Sequence, residues 1–163
     1  MSPSEAQGEK AVASSYDYQV ILVAVDFSAA SREALTRATD LALQVGARLE
    51  IIHVVGKHRA ALPFSKQNRA TVARLQREEI AQARKALERW RPSRKGLDVR
   101  LRVRAGRPAE SILAQARKSR ADLIVLSNLG HGSFREILIG STAEHCLRNA
   151  TIPVLLVPLV RST

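Results

Sequence analysis

The most restrictive feature of this chain is the regular alternation of short apolar runs with longer segments of helical periodicity. The first run, residues 20–25, contains no polar residue, which is typical of a central strand buried on both faces. Four further strands are predicted over residues 48–55, 97–104, 122–126 and 153–157. Strands that alternate with helices predict an α/β fold, a single doubly wound domain with helices on both faces of a five-stranded parallel sheet.

Capping residues mark the ends of the predicted helices. Ser28 is expected to cap the first helix at its start, and Gly46 to cap its end. Ser141 is followed three residues later by Glu144, a spacing that predicts a capping box at the start of the fourth helix. The second and third helices are predicted over residues 66–90 and 108–119.

Residues 97–104 alternate strictly between apolar and charged side chains, which predicts a strand at the edge of the sheet. Arg100, Arg102 and Arg104 share its charged face, and residues 66–104 contain 13 basic against 4 acidic residues. This charge suggests nucleic-acid or phospholipid binding as one interpretation. We favour a solvated helix face and a protected sheet edge instead, because no aromatic residues interleave with the basic ones to stack on bases.

Composition limits the remaining classes of protein. A length of 163 residues fits one domain, and 45 % hydrophobic residues exclude a wholly disordered chain. The single cysteine, Cys146, excludes an intramolecular disulfide and a zinc site built only from cysteines. No apolar run reaches the ~20 residues of a membrane span and no signal peptide is recognisable, so we expect a cytoplasmic protein. Residues 1–17 are predicted to be a flexible tail before a domain over residues 18–160.

Candidate binding residues follow the ends of the predicted strands, where ligands bind in sheets of this kind. Asp26 comes directly after the first strand, and Gly130 and Gly140 flank a segment that leads into the fourth helix. Ser141 and Thr142 add hydroxyl groups to a helix N-terminus, which suits a phosphate group. On the motif alone, an equally good interpretation is that the glycines only turn the chain and Ser141 only caps the helix.

Several stretches resemble the universal stress protein family. The segments that carry the resemblance are ILVAVDFS at 21–28, GRPAESI at 106–112, ADLIVLSNLG at 121–130, IGSTAE at 139–144 and IPVLLV at 152–157. The resemblance as a whole covers the chain from about Tyr18 to Pro158 and keeps the family's order of elements. The resemblance is to the UspA-like, ATP-binding subgroup.

The resemblance implies an ATP site. ATP-binding members of the family carry G-x-x-G, nine residues, and then G-[S/T]; here Ser127 replaces the first glycine, while Gly130, Gly140 and Ser141 match. If Ser127 needed a positive φ, or if its Cβ met the ribose, ATP would bind more weakly. The site residues implied are Ala24, Val25 and Asp26 at the adenosine, the backbone of Val54 at the adenine, Gly130, Gly140, Ser141 and Thr142 at the ribose and phosphates, and Leu126 and Ser127 beside them.

Other chemistries find little support in the sequence. It contains no Walker A motif and no G-x-S-x-G elbow, which argues against a P-loop NTPase and an α/β-hydrolase. His145 and Cys146 are adjacent and would point apart on a helix, so a shared metal ion is not expected. We interpret His53 as a core histidine with a satisfied hydrogen bond, and His131 as a loop residue without a role.

Two principal hypotheses of function result. The first is a nucleotide-binding, homodimeric universal stress protein with a regulatory role in the stress response, using ATP with or without Mg²⁺ and hydrolysing it slowly at most. The second is a dimeric scaffold of the same fold without a nucleotide, for which Ser127 is the main argument. The resemblance implies dimerisation through the last strand, Val154–Val157. A third hypothesis, a basic protein associated with nucleic acid, predicts binding that weakens steeply with salt, and we do not favour it.

Overall fold

The computed structural model describes residues 17–56, 66–128 and 139–159, with only the backbone described for residues 66–68. The predicted tail therefore lies outside the described residues except for Asp17, and so do Gly130 and His131. The elements are β1 (Val20–Ala24), α1 (Ala29–Val45), β2 (Arg48–Val55), α2 (Lys66–Trp90), β3 (Val99–Ala105), α3 (Pro108–Ser119), β4 (Leu123–Ser127), α4 (Ser141–Asn149) and β5 (Val154–Val157). Their order agrees with the predicted order, and β3 begins two residues later than predicted.

All five strands are parallel and lie in the order β3-β2-β1-β4-β5, which confirms the predicted α/β fold. The central strand β1 is flanked by β2 and β4, with Val23 opposite Ile51 on one side and Val125 on the other. At the amino ends of β1 and β4, a carboxylate oxygen of Asp122 accepts hydrogen bonds from the backbone N–H groups of Gln19 and Val20, at 2.8 and 2.9 Å. The strand order reverses between β1 and β4.

Helices cover both faces of this sheet, and each face has its own apolar cluster. Ile21 and Val23 of β1 pack beneath α1 and α2, together with the fully buried Leu87. Leu22 points to the opposite face, where it joins the cluster beneath α3 and α4. The uninterrupted apolar sequence of β1 is thus explained by burial on both sides. Among the described residues, no helix has the length and apolar character needed to cross a membrane.

Two of the three predicted capping features agree with the structure and one is wrong. Ser28 caps α1 through its hydroxyl oxygen, which accepts from the N–H of Ser31 at 3.1 Å, and Gly46 ends α1 in the left-handed region at φ 70°. Pro108 lies in the first turn of α3, where a missing backbone N–H costs no hydrogen bond. The capping box at α4 is absent, because Gly140 occupies the N-cap position and Ser141 is already helical. Glu144 instead accepts hydrogen bonds from the Arg148 guanidinium.

Candidate functional site

A cavity of about 360 Å³ lies at the carboxyl ends of β1, β2 and β4, against the first turns of α3 and α4. Nine of the ten residues named from the resemblance line it; the tenth, Gly130, lies outside the described residues. The nine are Ala24, Val25, Asp26, Val54, Leu126, Ser127, Gly140, Ser141 and Thr142. This is the position where the strand order reverses, which is the usual ligand crevice of an open parallel sheet.

The carboxylate of Asp26 is fixed by the start of α1. Its Oδ1 atom accepts hydrogen bonds from the backbone N–H of Ser28 at 3.0 Å and from the Ser28 hydroxyl at 2.5 Å. The Asp26 backbone N–H donates in turn to the Ser31 hydroxyl at 3.3 Å. Because these bonds join the end of β1 to the first turn of α1, the carboxylate is held at the cavity instead of rotating into solvent.

Phe27, the next residue, has a left-handed backbone with φ 66°, which is strained for a bulky side chain. An aromatic cluster holds it there: its ring lies 4.3 Å from the His53 ring and 5.3 Å from the Trp90 ring. The Arg32 guanidinium lies 3.5 Å from the Trp90 ring centre, in cation–π geometry. Sequence reasoning did not identify Phe27, because a left-handed residue other than glycine has no signature in the sequence.

His53 supports the same turn from the neighbouring strand. Its Nδ1 atom is 2.8 Å from the carbonyl oxygen of Val25, the residue between β1 and Asp26. The prediction of a histidine with a satisfied hydrogen bond is confirmed. The ring is therefore part of the scaffold of the cavity and does not line it.

The N-terminus of α4 forms the opposite wall of the cavity. Gly140 is the N-cap of α4, with φ −61° and ψ 150°, and it provides no side-chain capping bond. Its backbone N–H donates to the carbonyl oxygen of Asn128 at 2.8 Å, which anchors the start of the helix. The first helical N–H groups, those of Ser141, Thr142 and Ala143, precede the first bond within the helix, which runs from Glu144 to Gly140. Donors without a side-chain cap, together with the positive end of the helix dipole, suit an anion.

Ser127, which departs from the family's motif, ends β4 in strand conformation. Among the described residues other than glycine, positive φ values occur only at Phe27 and Arg120. Ser127 therefore does not need the backbone freedom of glycine, and the conformational objection to this substitution does not apply. Its position on the cavity wall leaves only the volume of its side chain as an obstacle to a ligand.

Five residues line the cavity without having been predicted. They are Ser31, Ile52, Pro108, Ile112 and Ala143. Ile52 follows from the strand period, since it lies two residues before Val54 on the same face of β2. Pro108 and Ile112 have no comparable signal, because α3 reaches the cavity only through the packing of the helices on the sheet.

No group of three or more His, Cys, Asp or Glu residues in residues 17–56, 66–128 and 139–159 is placed to hold a metal ion. His145 is exposed and Cys146 is buried, so these neighbours point apart as predicted. Burial raises the pKa of the Cys146 thiol to about 11, which keeps it protonated and unreactive near neutral pH.

Comparisons with known proteins agree with this architecture. The model of the universal stress protein family matches residues 17–158. A universal stress protein of Methanocaldococcus jannaschii is 32 % identical over 148 residues, which cover 86 % of this chain and 82 % of that protein. The solved structure of the universal stress protein UspA from Lactobacillus plantarum has a TM-score of 0.74 at 26 % identity and covers 86 % of this chain and 97 % of its own.

Two more distant solved structures share the fold and contain a nucleotide. A universal stress protein in complex with cAMP has a TM-score of 0.57 at 23 % identity, covering 88 % of this chain and 99 % of its own. One from Archaeoglobus fulgidus in complex with dAMP has a TM-score of 0.53 at 20 % identity, covering 86 % and 98 %. With a family match over residues 17–158 and a relative that is 32 % identical over most of both chains, this chain belongs to the universal stress protein family.

Proposed function

We propose that this chain binds ATP in the cavity at the carboxyl ends of β1 and β4 and acts as a regulatory protein of the stress response. The observation that supports this most is the pairing of a fixed carboxylate, Asp26, with the α4 N-terminus, which has no side-chain cap, across one cavity. A carboxylate accepts hydrogen bonds from ribose hydroxyls, and a helix N-terminus binds phosphate. The cAMP and dAMP complexes of two related folds support a nucleotide as the ligand.

Different residues of the cavity lining suit the base, the ribose and the phosphates of the nucleotide. The apolar side chains of Ile52, Val54, Ile112 and Leu126 suit the base, beside the short side chain of Ala24. Asp26 lines the same cavity, and its carboxylate is assigned to the ribose hydroxyl groups. Gly140, Ser141 and Thr142 follow at the α4 N-terminus, so their N–H and hydroxyl groups are assigned to the phosphates.

We expect Mg²⁺ at this site only when phosphate oxygens of the bound nucleotide coordinate it. Among the described residues that line the cavity, Asp26 is the one acidic side chain, and its Oδ1 atom is already engaged with Ser28. Mg²⁺ keeps several waters and takes phosphate oxygens readily, so a single carboxylate is sufficient for a weakly held ion. With one carboxylate engaged in structure, we expect binding and release of ATP to dominate over its hydrolysis.

Calorimetric titration of Mg-ATP into the wild type and two glycine variants tests the site. Gly140→Val adds bulk to the cavity wall at an extended backbone position that accepts any residue, and Gly56→Val makes the same change at an exposed glycine with open space around it. We expect one ATP per chain at low and high salt, loss of binding in Gly140→Val, and unchanged binding in Gly56→Val. Equal affinity of both variants would contradict the proposal.

Ser127→Gly separates this proposal from the nucleotide-free scaffold. If the wild type fails to bind ATP and Ser127→Gly binds it, the side chain of Ser127 closes the site and the scaffold is the better description. If both bind with similar affinity, the strand conformation of Ser127 is compatible with the ligand.

A homodimer through β5 is part of the same proposal. β5 is an edge strand; Leu155 on it is 40 % exposed, and Leu159, two residues beyond its end, is 36 % exposed. An apolar edge strand with free backbone groups pairs readily with a second strand. Two copies of Val154–Val157 would cover each other's exposed leucines.

A further inference from the structure

A second cavity, of about 600 Å³, lies at the edge of the sheet formed by β3. None of its lining residues also lines the cavity assigned to ATP, as far as the described residues show. Six basic side chains line it, together with the two carboxylates Glu50 and Glu88. The basic residues are Arg48, Arg84, Arg100, Arg102, Arg104 and Lys118.

Two of the three arginines of β3, Arg102 and Arg104, are held in position by buried polar groups. Glu50 is 1 % exposed and Gln115 is 4 % exposed, and the Gln115 side-chain amide donates a short hydrogen bond to Oε1 of Glu50. Two nitrogens of Arg104 donate to the Gln115 side-chain oxygen at 3.1 and 2.8 Å. Arg102 lies 3.5 Å from Oε2 of Glu50. A buried network of this kind holds guanidinium groups in place before a ligand arrives.

Positive charge is in excess within this cavity. Of its six cations, only Arg100 and Arg102 lie within 4.0 Å of a carboxylate in the described part of the chain. Glu88 is paired with Arg91, which lies outside the cavity lining, at 3.1 Å. The Nε atom of Arg48 is buried without a hydrogen-bond partner among the described residues. An anion in the cavity would offset both the excess charge and this uncompensated donor.

The spacing of the cations suits a chain of anionic groups. Arg100, Arg102 and Arg104 point to the same face of β3, so their Cα atoms are about 6.6 Å apart and span about 13 Å. Guanidinium groups bind phosphate with two parallel hydrogen bonds, which favours phosphate over monovalent anions. We propose that this second cavity, named here the β3-edge cavity, binds an inorganic oligophosphate, a small ligand of two or more linked phosphate groups that carries no base.

A small oligophosphate fits better than a nucleic acid. The lining contains no aromatic residue on which a base stacks. Its volume lies within the range of cavities that bind small molecules. The ligand would therefore bind through its phosphates, independently of the ATP site.

Titration of inorganic tripolyphosphate at low and high salt tests this inference. In the double variant Arg102→Gln/Arg104→Gln, we expect the affinity for tripolyphosphate to fall by tenfold or more. This is about the effect of losing charge-assisted hydrogen bonds. The matched control Arg37→Gln/Arg74→Gln removes the same charge from exposed helix positions that each pair with a glutamate, and should bind like the wild type. Since Arg102 and Arg104 contact buried groups, Arg100→Gln/Lys118→Gln provides a second test with exposed side chains, and should also weaken binding.

Gly140→Val distinguishes binding in one cavity from binding in the other. It should abolish ATP binding and leave tripolyphosphate binding intact. An equal loss in the control double variant would overturn the inference in favour of general attraction to a basic protein. Loss in Gly140→Val alone would place the phosphates in the ATP cavity and would likewise overturn it. Failure of the wild type to bind tripolyphosphate, or binding only of a single-stranded DNA oligonucleotide, would also overturn it.

Discussion

The two edge strands of the sheet, β3 and β5, differ in their protection against pairing with another chain. On β3, three arginines alternate with apolar residues, and two of them reach back to the buried pair Glu50 and Gln115. On β5, Val154–Val157 contains no charged residue, and Leu155 stays 40 % exposed. A charged edge resists pairing with another chain, whereas an apolar edge invites it. The comparison shows one sheet with a charged edge, where we propose ligand binding, and an apolar edge, where we propose pairing with a second copy of the chain.

Leu155→Arg is expected to have the largest effect, because it gives β5 the kind of protection that β3 has. A charge on the apolar edge would oppose strand pairing between two copies. In light scattering coupled to size-exclusion chromatography, we expect the wild type at the mass of a dimer and the variant at half that mass. The control Leu75→Arg makes the same change at a leucine that is 43 % exposed on α2, and should remain a dimer. A monomeric wild type would refute the proposed role of β5.

Gln115→Leu removes the centre of the polar network behind β3. It leaves Oε1 of Glu50 and the Arg104 guanidinium without their shared partner in a buried environment. We expect the free energy of unfolding in urea to fall by about 2 kcal/mol. Gln82→Leu on the exposed side of α2 should change it by less than about 0.5 kcal/mol. Similar values for the two variants would mean that the network does not stabilise the β3 edge.

The smallest expected effect concerns the β5 side, where the buried Cys146 packs in the same cluster as Val154 and Leu156. Burial raises the pKa of this thiol from 9.0 to about 11, so the folded state holds the proton more tightly than the unfolded state. The resulting stabilisation is complete below pH 9 and is lost as the pH rises towards 11.

Urea denaturation of the wild type and Cys146→Ala at a series of pH values measures this contribution. The difference in unfolding free energy between the two proteins should shrink from pH 9 to pH 11, since other groups titrate equally in both. A difference that stays constant over this interval would show that the thiol is not desolvated in the folded state.

Much of the fold was predictable because its signals are local. The apolar run of β1 indicated burial on both faces, the residues at Ser28 and Gly46 indicated the ends of α1, and the alternation around Arg102 indicated an edge strand. Each of these patterns is visible within a few residues along the chain. The capping box was wrong for a related reason: Gly140 is anchored by Asn128, twelve positions earlier, and this contact shifts the helix start by one residue.

The candidate site was predictable only in part. Asp26 and the segment around Ser141 could be named from the resemblance, and the structure places them on one cavity. The contribution of α3 through Pro108 and Ile112, the strained turn at Phe27, and the β3-edge cavity had no signal in the sequence. The sequence predicts a solvated helix face and a charged sheet edge for residues 66–104. The edge agrees with the position of β3, and the structure also connects Arg102 and Arg104 to buried partners.

The sequence by itself determined the succession of strands and helices, the class of sheet and the family, because periodicity, caps and motifs are properties of neighbouring residues. Only the tertiary structure decided that β4 lies beside β1, about a hundred residues earlier in the chain, and that Glu50 and Gln115 meet behind β3. Such contacts depend on the global packing of strands and helices, since burial and charge compensation are shared among residues distant in the chain. Both cavities depend on these long-range contacts, and so do the ligands proposed for them.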